Sequence, residues 1–183
     1  MTQAVLAYPQ TRIKWDILSG IAFIHAAACL APWTFTWSAF WLFVVFQFVT
    51  ALGITVCYHR LLTHRSFRVP KWVEYPLTLC GVLALQGGPL KWVSTHRLHH
   101  AFSDRPQDPH SPTRGFWWAH MLWLFARDEL LDDPTKLQRF VPDLTRDPIH
   151  RFLERTHVLW SVALGALLYA VGGWPFLVWG MFV

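Results

Sequence analysis

Three histidines stand close together in the middle of the chain, at the spacing that puts side chains on one face of a helix. His96, His99 and His100 lie at positions i, i+3 and i+4, so a helix would bring their imidazoles within reach of one another. Neutral imidazole is a common ligand of first-row metals, and a site without thiolate suits iron, copper or zinc. The alternative is a polar helix that happens to be rich in histidine, but three adjacent uncharged histidines have little structural use. We therefore predict a metal site here.

A second pair of histidines precedes this group. His59 and His64 are five residues apart, which on a continuous α-helix places them about 140° from each other. Both side chains reach one metal centre only if the helix ends between them, and we predict that it does. We call residues 59–64 the first histidine box and residues 96–100 the second. Their five imidazoles exceed what one zinc ion needs.

The elements that carry the two boxes are those of a membrane protein. The chain has 183 residues, of which 54% are hydrophobic and 12 are tryptophan, and this is far from an ordinary soluble composition. Apolar runs near the length that crosses a bilayer predict spans at about residues 17–33, 37–57 and 157–171, and the start of another at 176–183. We expect an all-α integral membrane protein, a four-span bundle whose fourth span is incomplete.

The stretch between the boxes is apolar but interrupted. Residues 72–90 contain Glu74, Pro76 and the sequence Gly87-Gly88-Pro89. Both boxes must meet on one side of the membrane, so this stretch crosses either not at all or twice, and it is too short to cross twice. We predict an in-plane segment packed against protein, where irregular backbone is tolerated. The polar residues 91–156 that follow are predicted to form a helical cap.

The distribution of charge predicts the side of the membrane on which the cap lies. With the N-terminus on the side of the boxes, all 16 lysines and arginines fall on that side, which the positive-inside rule makes cytoplasmic. A face of this kind suits lipid phosphates or an acidic electron-donor protein, and we predict no nucleic-acid partner. A thiolate site is excluded because the cysteines have no CxxC spacing; they are Cys29, Cys57 and Cys80.

Further motifs around the boxes match a known family. They are Gly53-Ile54-Thr55, residues 58–67, Gln86-Gly87-Gly88-Pro89, Trp92, Asp108-Pro109-His110, Gly115-Phe116-Trp117-Trp118 and Asp147-Pro148. On these motifs the chain resembles the membrane fatty acid desaturases of the Δ9 type, bacterial and cyanobacterial members most closely. The resemblance extends from about Arg12 to the last residue.

This resemblance implies a function and a set of ligands. It implies that the enzyme introduces a cis double bond, at Δ9, into a saturated acyl chain with O2 and two electrons. It also implies that the cytosolic cap carries a di-iron site, with two iron ions held by His59, His64, His96, His99 and His100. Family members have a third HxxHH box and one more histidine ligand later in the chain. Because this sequence does not contain them, we expect a C-terminally truncated and inactive form.

The resemblance also implies where the substrate lies and which partners are needed. Gln86 and Trp92 match positions that line the bend of the acyl tunnel in the family. The implied partners are the lipid bilayer, an acyl chain linked to a lipid or to CoA, and an electron donor such as ferredoxin or a b-type cytochrome.

The group to which the acyl chain is linked is less clearly indicated. Animal acyl-CoA members have Arg-Asp where this chain has Ser94-Thr95, Asn where it has Gly87, and Arg-Lys where it has Arg127-Asp128. These differences remove polar contacts to CoA, so they slightly favour a lipid-linked chain, and both substrates stay open.

Other residues with metal-binding side chains are interpreted as structural. Glu154 and His157 form a Glu-x-x-His pattern, but soluble di-iron bundles use it in paired copies and here it occurs once. Asp108 and His110 are expected to fix the loop behind the second box. We predict no ligand role for the remaining histidines, His25, His110, His120 and His150.

Two other functions remain open from the sequence. A related di-iron membrane hydroxylase would share the box pattern, and a non-catalytic membrane protein could bind metal or haem through the same histidines. Product analysis separates the first from a desaturase. Iron content and an optical haem band separate the second.

Overall fold

The computed structural model describes residues 12–183, and within them the chain is almost entirely helical. The α-helices of this part are α1 (Trp15–Ala28), α2 (Trp37–Ala51), α3 (Lys71–Val82), α4 (Pro89–Phe102), α5 (Trp123–Phe125), α6 (Pro134–Leu137), α7 (Pro142–Arg146) and α8 (Pro148–Met181). No β-strand occurs among residues 12–183, where one isolated bridge joins Ile13 and Ala126. The all-α prediction is confirmed for these residues.

Helix α2 does not end at the first histidine box. It continues directly as a π-helix over Leu52–Thr63, and the His64 N–H donates to the His59 carbonyl at 3.0 Å. A π-helix closes each turn with an i to i+5 hydrogen bond, so residues five apart lie on nearly the same face. The prediction that the helix ends between His59 and His64 is wrong, because a wider helical turn brings the two side chains together instead.

Helix α3 packs against this π-helical stretch through two glycines. A Cβ added at Gly53 would overlap backbone atoms of Cys80 and Gly81, and a Cβ added at Gly81 would overlap the ring of Tyr58. The two helices can approach this closely because neither glycine carries a side chain. The contact holds the segment between the boxes against the helix that carries the first box.

Gly53→Ala is expected to lower the melting temperature of the protein. The added methyl group would force the π-helix and α3 apart, and overpacking of this kind costs about 1–3 kcal/mol. Thermal unfolding of the purified variants in detergent measures the change. Gly20→Ala in α1 is the matched control, because no described atom lies within 4 Å of its added methyl group. Equal melting temperatures for the parent and Gly53→Ala would contradict the close packing.

The chain turns between α3 and α4 and returns alongside the first box. Leu85 and Gly87 adopt positive φ values of 59° and 95°, and Pro89 occupies the first position of α4, where a missing N–H costs nothing. The π-helix and the start of α4 then share one buried core with the region around α7. Its members are Cys57, Tyr58, Leu61, Leu62, Leu90, Val93, Val141 and Leu144.

Helix α8 folds back on itself. Gly173 has non-helical backbone angles, φ 62° and ψ −152°, and it lies between the predicted spans at residues 157–171 and 176–183. On either side of it, Gly165 faces the side chain of Met181, and Gly180 faces Leu168. These contacts are possible only if the two arms of α8 run antiparallel.

Within residues 12–183, two helical stretches are long and apolar enough to cross a membrane, Trp37–Thr63 and Pro148–Met181. Helix α1 is apolar but has only 14 residues, about 21 Å of helix against a bilayer core of about 30 Å. The predicted first span at residues 17–33 is therefore divided between α1 and a 3₁₀ turn at Ala31–Thr34. Trp179 in the second arm of α8 donates to the Ala31 carbonyl at 3.2 Å, which ties this turn to the end of α8.

Candidate metal centre

Four imidazoles from the two boxes meet between the end of the π-helix and α4. One ring nitrogen of each lies within 4.8 Å of the others in the group His59, His64, His96 and His100. The Nε2 atoms of His59 and His64 are 3.0 Å apart, and those of His96 and His100 are 3.1 Å apart. Each box thus contributes one pair of facing nitrogens, and we call these residues the four-imidazole group.

The distances in this group fit a metal centre. Two imidazole nitrogens that bind one metal at about 2.1 Å lie roughly 3.0–3.4 Å from each other. Two lone pairs that face each other at such a distance repel, so each pair needs a proton or a cation between its nitrogens. The imidazoles are also close across the boxes, with ring centroids 4.8 Å apart for His59 and His96 and 4.5 Å apart for His64 and His100.

The surroundings keep the imidazoles of α4 in the form that binds metal. Burial lowers the pKa of His96 to about 3, with a further contribution from the neighbouring His100 imidazole. Burial and the adjacent His64 also lower the pKa of His100. A histidine must be neutral to donate its lone pair to a metal. At neutral pH these two side chains are therefore ready to act as ligands.

The fifth predicted ligand, His99, lies beside this group and points to a different partner. Its Nδ1 is 2.8 Å from the Oδ1 of Asp108, whose side chain is fully buried. A carboxylate can only accept, so Nδ1 carries the proton and Nε2 keeps its lone pair. His99, Asp108 and His110 form a second group of close metal-binding atoms, and the rings of His99 and His110 stack with centroids 4.0 Å apart.

Comparison with known proteins identifies the family to which this site belongs. The family model described as fatty acid desaturase matches residues 35–183, a stretch that contains both histidine boxes. The chain belongs to the fatty acid desaturase family. The resemblance drawn from the motifs is confirmed, and the boxes that form the four-imidazole group are part of the matched region.

Individual relatives support the same assignment. Delta-9 acyl-lipid desaturase 1 of Arabidopsis thaliana is 49% identical over 173 residues, 92% of this chain and 56% of that protein. The sn-1 stearoyl-lipid 9-desaturase of Anabaena variabilis is 44% identical over 185 aligned residues, 100% of this chain and 66% of the relative. Icosanoyl-CoA 5-desaturase of Limnanthes douglasii is 46% identical over 177 residues, 93% and 50% of the two chains. The chain spans between 47% and 66% of the length of the curated relatives it matches.

In this desaturase-family chain the two predicted substrate residues contact each other next to the four-imidazole group. The indole Nε1 of Trp92 donates to the Oε1 of Gln86 at 3.0 Å. The Trp92 ring lies 4.9 Å from the His96 ring and 5.5 Å from the Tyr58 ring. Both residues are thus placed beside the four-imidazole group.

The Glu-x-x-His pattern has a different use in this desaturase-family chain. Glu154 Oε2 accepts the Leu90 N–H at 2.8 Å and the Lys91 N–H at 3.3 Å. These donors belong to the first turn of α4, where backbone N–H groups have no partner within the helix. Glu154 therefore caps the helix that carries the second box, and it is not a member of any close metal-binding group found among residues 12–183.

His150 lies in a buried ion network that sequence analysis missed. Its ring is fully buried, with Nε2 3.3 Å from Glu74 Oε1 and Nδ1 3.4 Å from Asp147 Oδ1. The Lys71 ammonium group contacts both carboxylates, at 2.7 and 2.9 Å. These side chains tie the start of α3 to the start of α8. The single positive charge of Lys71 offsets one of the two carboxylate charges, and Glu74, Asp147 and His150 form a further group of close metal-binding atoms among the described residues.

Proposed function

We propose that this protein is a membrane-bound desaturase that introduces a cis double bond at the Δ9 position of a saturated acyl chain, using O2 and two electrons. The observation that supports this most directly is the four-imidazole group, built from both boxes in a chain of the fatty acid desaturase family. The relatives named as 9-desaturases support the position of the double bond.

The proposed cofactor is a pair of iron ions. The proposed ligands from this chain are His59, His64, His96, His99 and His100. Four of them already converge, and the Asp108 carboxylate leaves Nε2 of His99 available as a donor. Iron, when bound with oxygen and supplied with electrons, provides the oxidising power needed to remove hydrogen from an unactivated methylene. The chain's own contribution is to hold neutral imidazoles in place.

Trp92 and Gln86 are proposed to guide the acyl chain. The Trp92 ring lies between Tyr58 and His96, and the hydrogen bond from its indole to Gln86 fixes the plane of the ring. An acyl chain lying along this ring would be shielded from water beside the metal-binding imidazoles. Holding reactants in one geometry contributes a large part of an enzyme's rate enhancement. The contact between the acyl chain and the Trp92 ring would also determine which carbon loses hydrogen.

The proposed substrate is a lipid-linked acyl chain, with acyl-CoA as the second candidate. Ser94, which replaces a charged residue of the acyl-CoA members, is buried and donates its hydroxyl to the Leu90 carbonyl at 2.6 Å. Its side chain is satisfied inside α4 and offers nothing to a CoA group. The relatives include proteins named for lipid and for CoA substrates.

The proposed topology has four spans, formed by α1 with its following turn, α2, and the two antiparallel arms of α8. In this arrangement α3 is the in-plane segment, and both boxes lie on the cytoplasmic face with residues 91–156 as the cap. The positive-inside rule and the position of all 16 lysines and arginines support this orientation. A ferredoxin or a b-type cytochrome would deliver the electrons at that face.

We expect the full-length protein, expressed in a host without Δ9 desaturation, to produce cis-9 unsaturated chains from supplied saturated acyl groups. Mass spectrometry of the extracted lipids measures the product and its double-bond position, and His100→Ala is the inactive control. Supplying the chain as a phospholipid or as acyl-CoA separates the two substrate classes. A hydroxylated product would instead indicate a hydroxylase, and a haem absorption band would contradict the di-iron proposal.

A further inference from the structure

One arginine side chain connects the two histidine boxes. Arg97 Nη2 donates to the Leu62 carbonyl at 2.6 Å and to Asp143 Oδ2 at 2.9 Å. Its Nη1 donates to the Phe140 carbonyl at 2.9 Å and to Asp143 Oδ1 at 2.7 Å. A single guanidinium group therefore makes four hydrogen bonds, two of them as a bidentate pair with one carboxylate, the strongest geometry for this ion pair.

The hydrogen bond between Arg97 and the Leu62 carbonyl joins the second histidine box to the first. Leu62 lies inside the first box, between His59 and His64, and Arg97 directly follows His96 in the second box. The Leu62 carbonyl belongs to the last turn of the π-helix, where carbonyl groups have no partner further along the helix. Arginine is well suited to donate to such a carbonyl, because its positive charge also complements the negative end of the helix dipole.

Asp143 holds the guanidinium in this position. The Arg97 side chain is 14% exposed, so its geometry is restricted by the surrounding protein. Burial raises the pKa of Asp143, but the hydrogen bonds and charge of Arg97, with a further bond from Arg65, bring it well below its usual value. The lowered pKa favours the ionised carboxylate, which is the form that accepts the bidentate pair from Arg97.

We propose that Arg97 and Asp143 are positioning residues that hold the first box against the second at the separation required for metal binding. The proposal rests on the proposed metal centre. The four-imidazole group takes two members from each box, so a shift of one box against the other separates the pairs. Lysine cannot replace Arg97 here, since one ammonium group cannot reach two carbonyls and both carboxylate oxygens in a planar arrangement.

The structure offers a matched control for this proposal. Arg65 contacts the same Asp143 carboxylate at 2.8 Å, but its side chain is 61% exposed. Among the described residues its guanidinium group donates to neither the Leu62 nor the Phe140 carbonyl. Arg65→Gln removes a positive charge from Asp143 without removing the bridge between the boxes. Arg97→Gln removes both the positive charge and the bridge between the boxes. Arg97→Lys retains the charge but loses the planar guanidinium group that makes the four hydrogen bonds.

The test measures cobalt(II) binding to the full-length protein in detergent, using the visible absorption of bound cobalt and competition with a chelator. We expect Arg97→Gln to bind cobalt about 10–100-fold more weakly, the usual effect of losing a residue that orients metal ligands, and to show an altered absorption band. Arg97→Lys is expected to be intermediate, and Arg65→Gln to stay within roughly two-fold of the parent. Far-UV circular dichroism checks that each variant is folded.

Two results would overturn the proposal. One is parent-like cobalt affinity and absorption in folded Arg97→Gln, and the other is equal weakening in Arg65→Gln, which would show that charge alone matters. If Arg97→Gln does not fold, Asp143→Asn is measured instead, because this variant keeps both carbonyl contacts of Arg97 and loses only the bidentate pair. Unchanged cobalt affinity in Asp143→Asn would also overturn the proposal. A parent protein that binds no cobalt would contradict the metal centre itself, whereas normal binding by the Arg97 variants would contradict only their positioning role.

Discussion

Replacing His96 by alanine is expected to abolish desaturation and to remove metal from the protein, while the protein still inserts and folds. His96 has ring contacts to both histidines of the first box, and it is the most buried member of the four-imidazole group and also pairs with His100. Its loss breaks the pair with His100 and leaves His59 without its nearest partner from the second box. We expect metal affinity to fall by more than about 100-fold, beyond the 10–100-fold typical of losing an orienting residue.

The measurement combines metal content of the purified variant, by mass spectrometry, with product analysis in membranes. His25→Ala is the matched control, since His25 is an exposed histidine of α1 whose ring nitrogen is hydrogen-bonded to the Ile21 carbonyl of its own helix and lies in no close metal-binding group among residues 12–183. It should retain parent metal content and activity. A His96→Ala protein that retains its full metal content would show that the four-imidazole group is not the metal centre.

The histidine boxes could be predicted from the sequence because their spacing is local. The i, i+4 spacing of His96 and His100 gives the observed pair on α4 directly. His99 was predicted to share that face, yet its ring turns towards Asp108. The Asp108 carboxylate, nine residues further along the chain, decides its orientation, and helical periodicity contains no information about it.

The first box shows a different limit. Its five-residue spacing does not fit the α-helical period, and from the sequence a helix end was the simplest way to bring His59 and His64 together. The structure uses a π-helix over Leu52–Thr63 instead. The choice depends on tertiary contacts, since Gly53 must approach the backbone of α3 and the Leu62 carbonyl must reach Arg97. Neither contact is visible in local sequence.

The residues that support the site were harder to predict than the residues in it. Glu154 was recognised as a residue with a metal-binding side chain, but its role as the cap of α4 depends on the close approach of Gly88, some sixty residues earlier in the chain. Asp143 stands in a polar stretch of the sequence with nothing to distinguish it from a surface carboxylate. Only the fold brings it to Arg97.

Asp108→Asn is expected to weaken metal binding by about 10–100-fold with little change in secondary structure. The buried Asp108 carboxylate accepts from His99 Nδ1 and from the backbone N–H groups of Asp104 and His110. An ionised carboxylate both fixes the imidazole and makes its other nitrogen a better donor, and losing such a partner typically costs this much affinity. An asparagine keeps the size of the side chain but not the charge, and one of its two groups is a donor.

Cobalt(II) titration of Asp108→Asn measures the loss, and Asp133→Asn is the matched control. Asp133 also caps backbone N–H groups, those of Thr135 and Lys136, but it is exposed and contacts no histidine among the described residues. Its substitution should leave metal affinity unchanged. If Asp108→Asn remains folded and binds cobalt as tightly as the parent, then His99 does not need its carboxylate partner. The assignment of His99 as a ligand oriented by Asp108 would then be wrong, whereas the four-imidazole group would be unaffected.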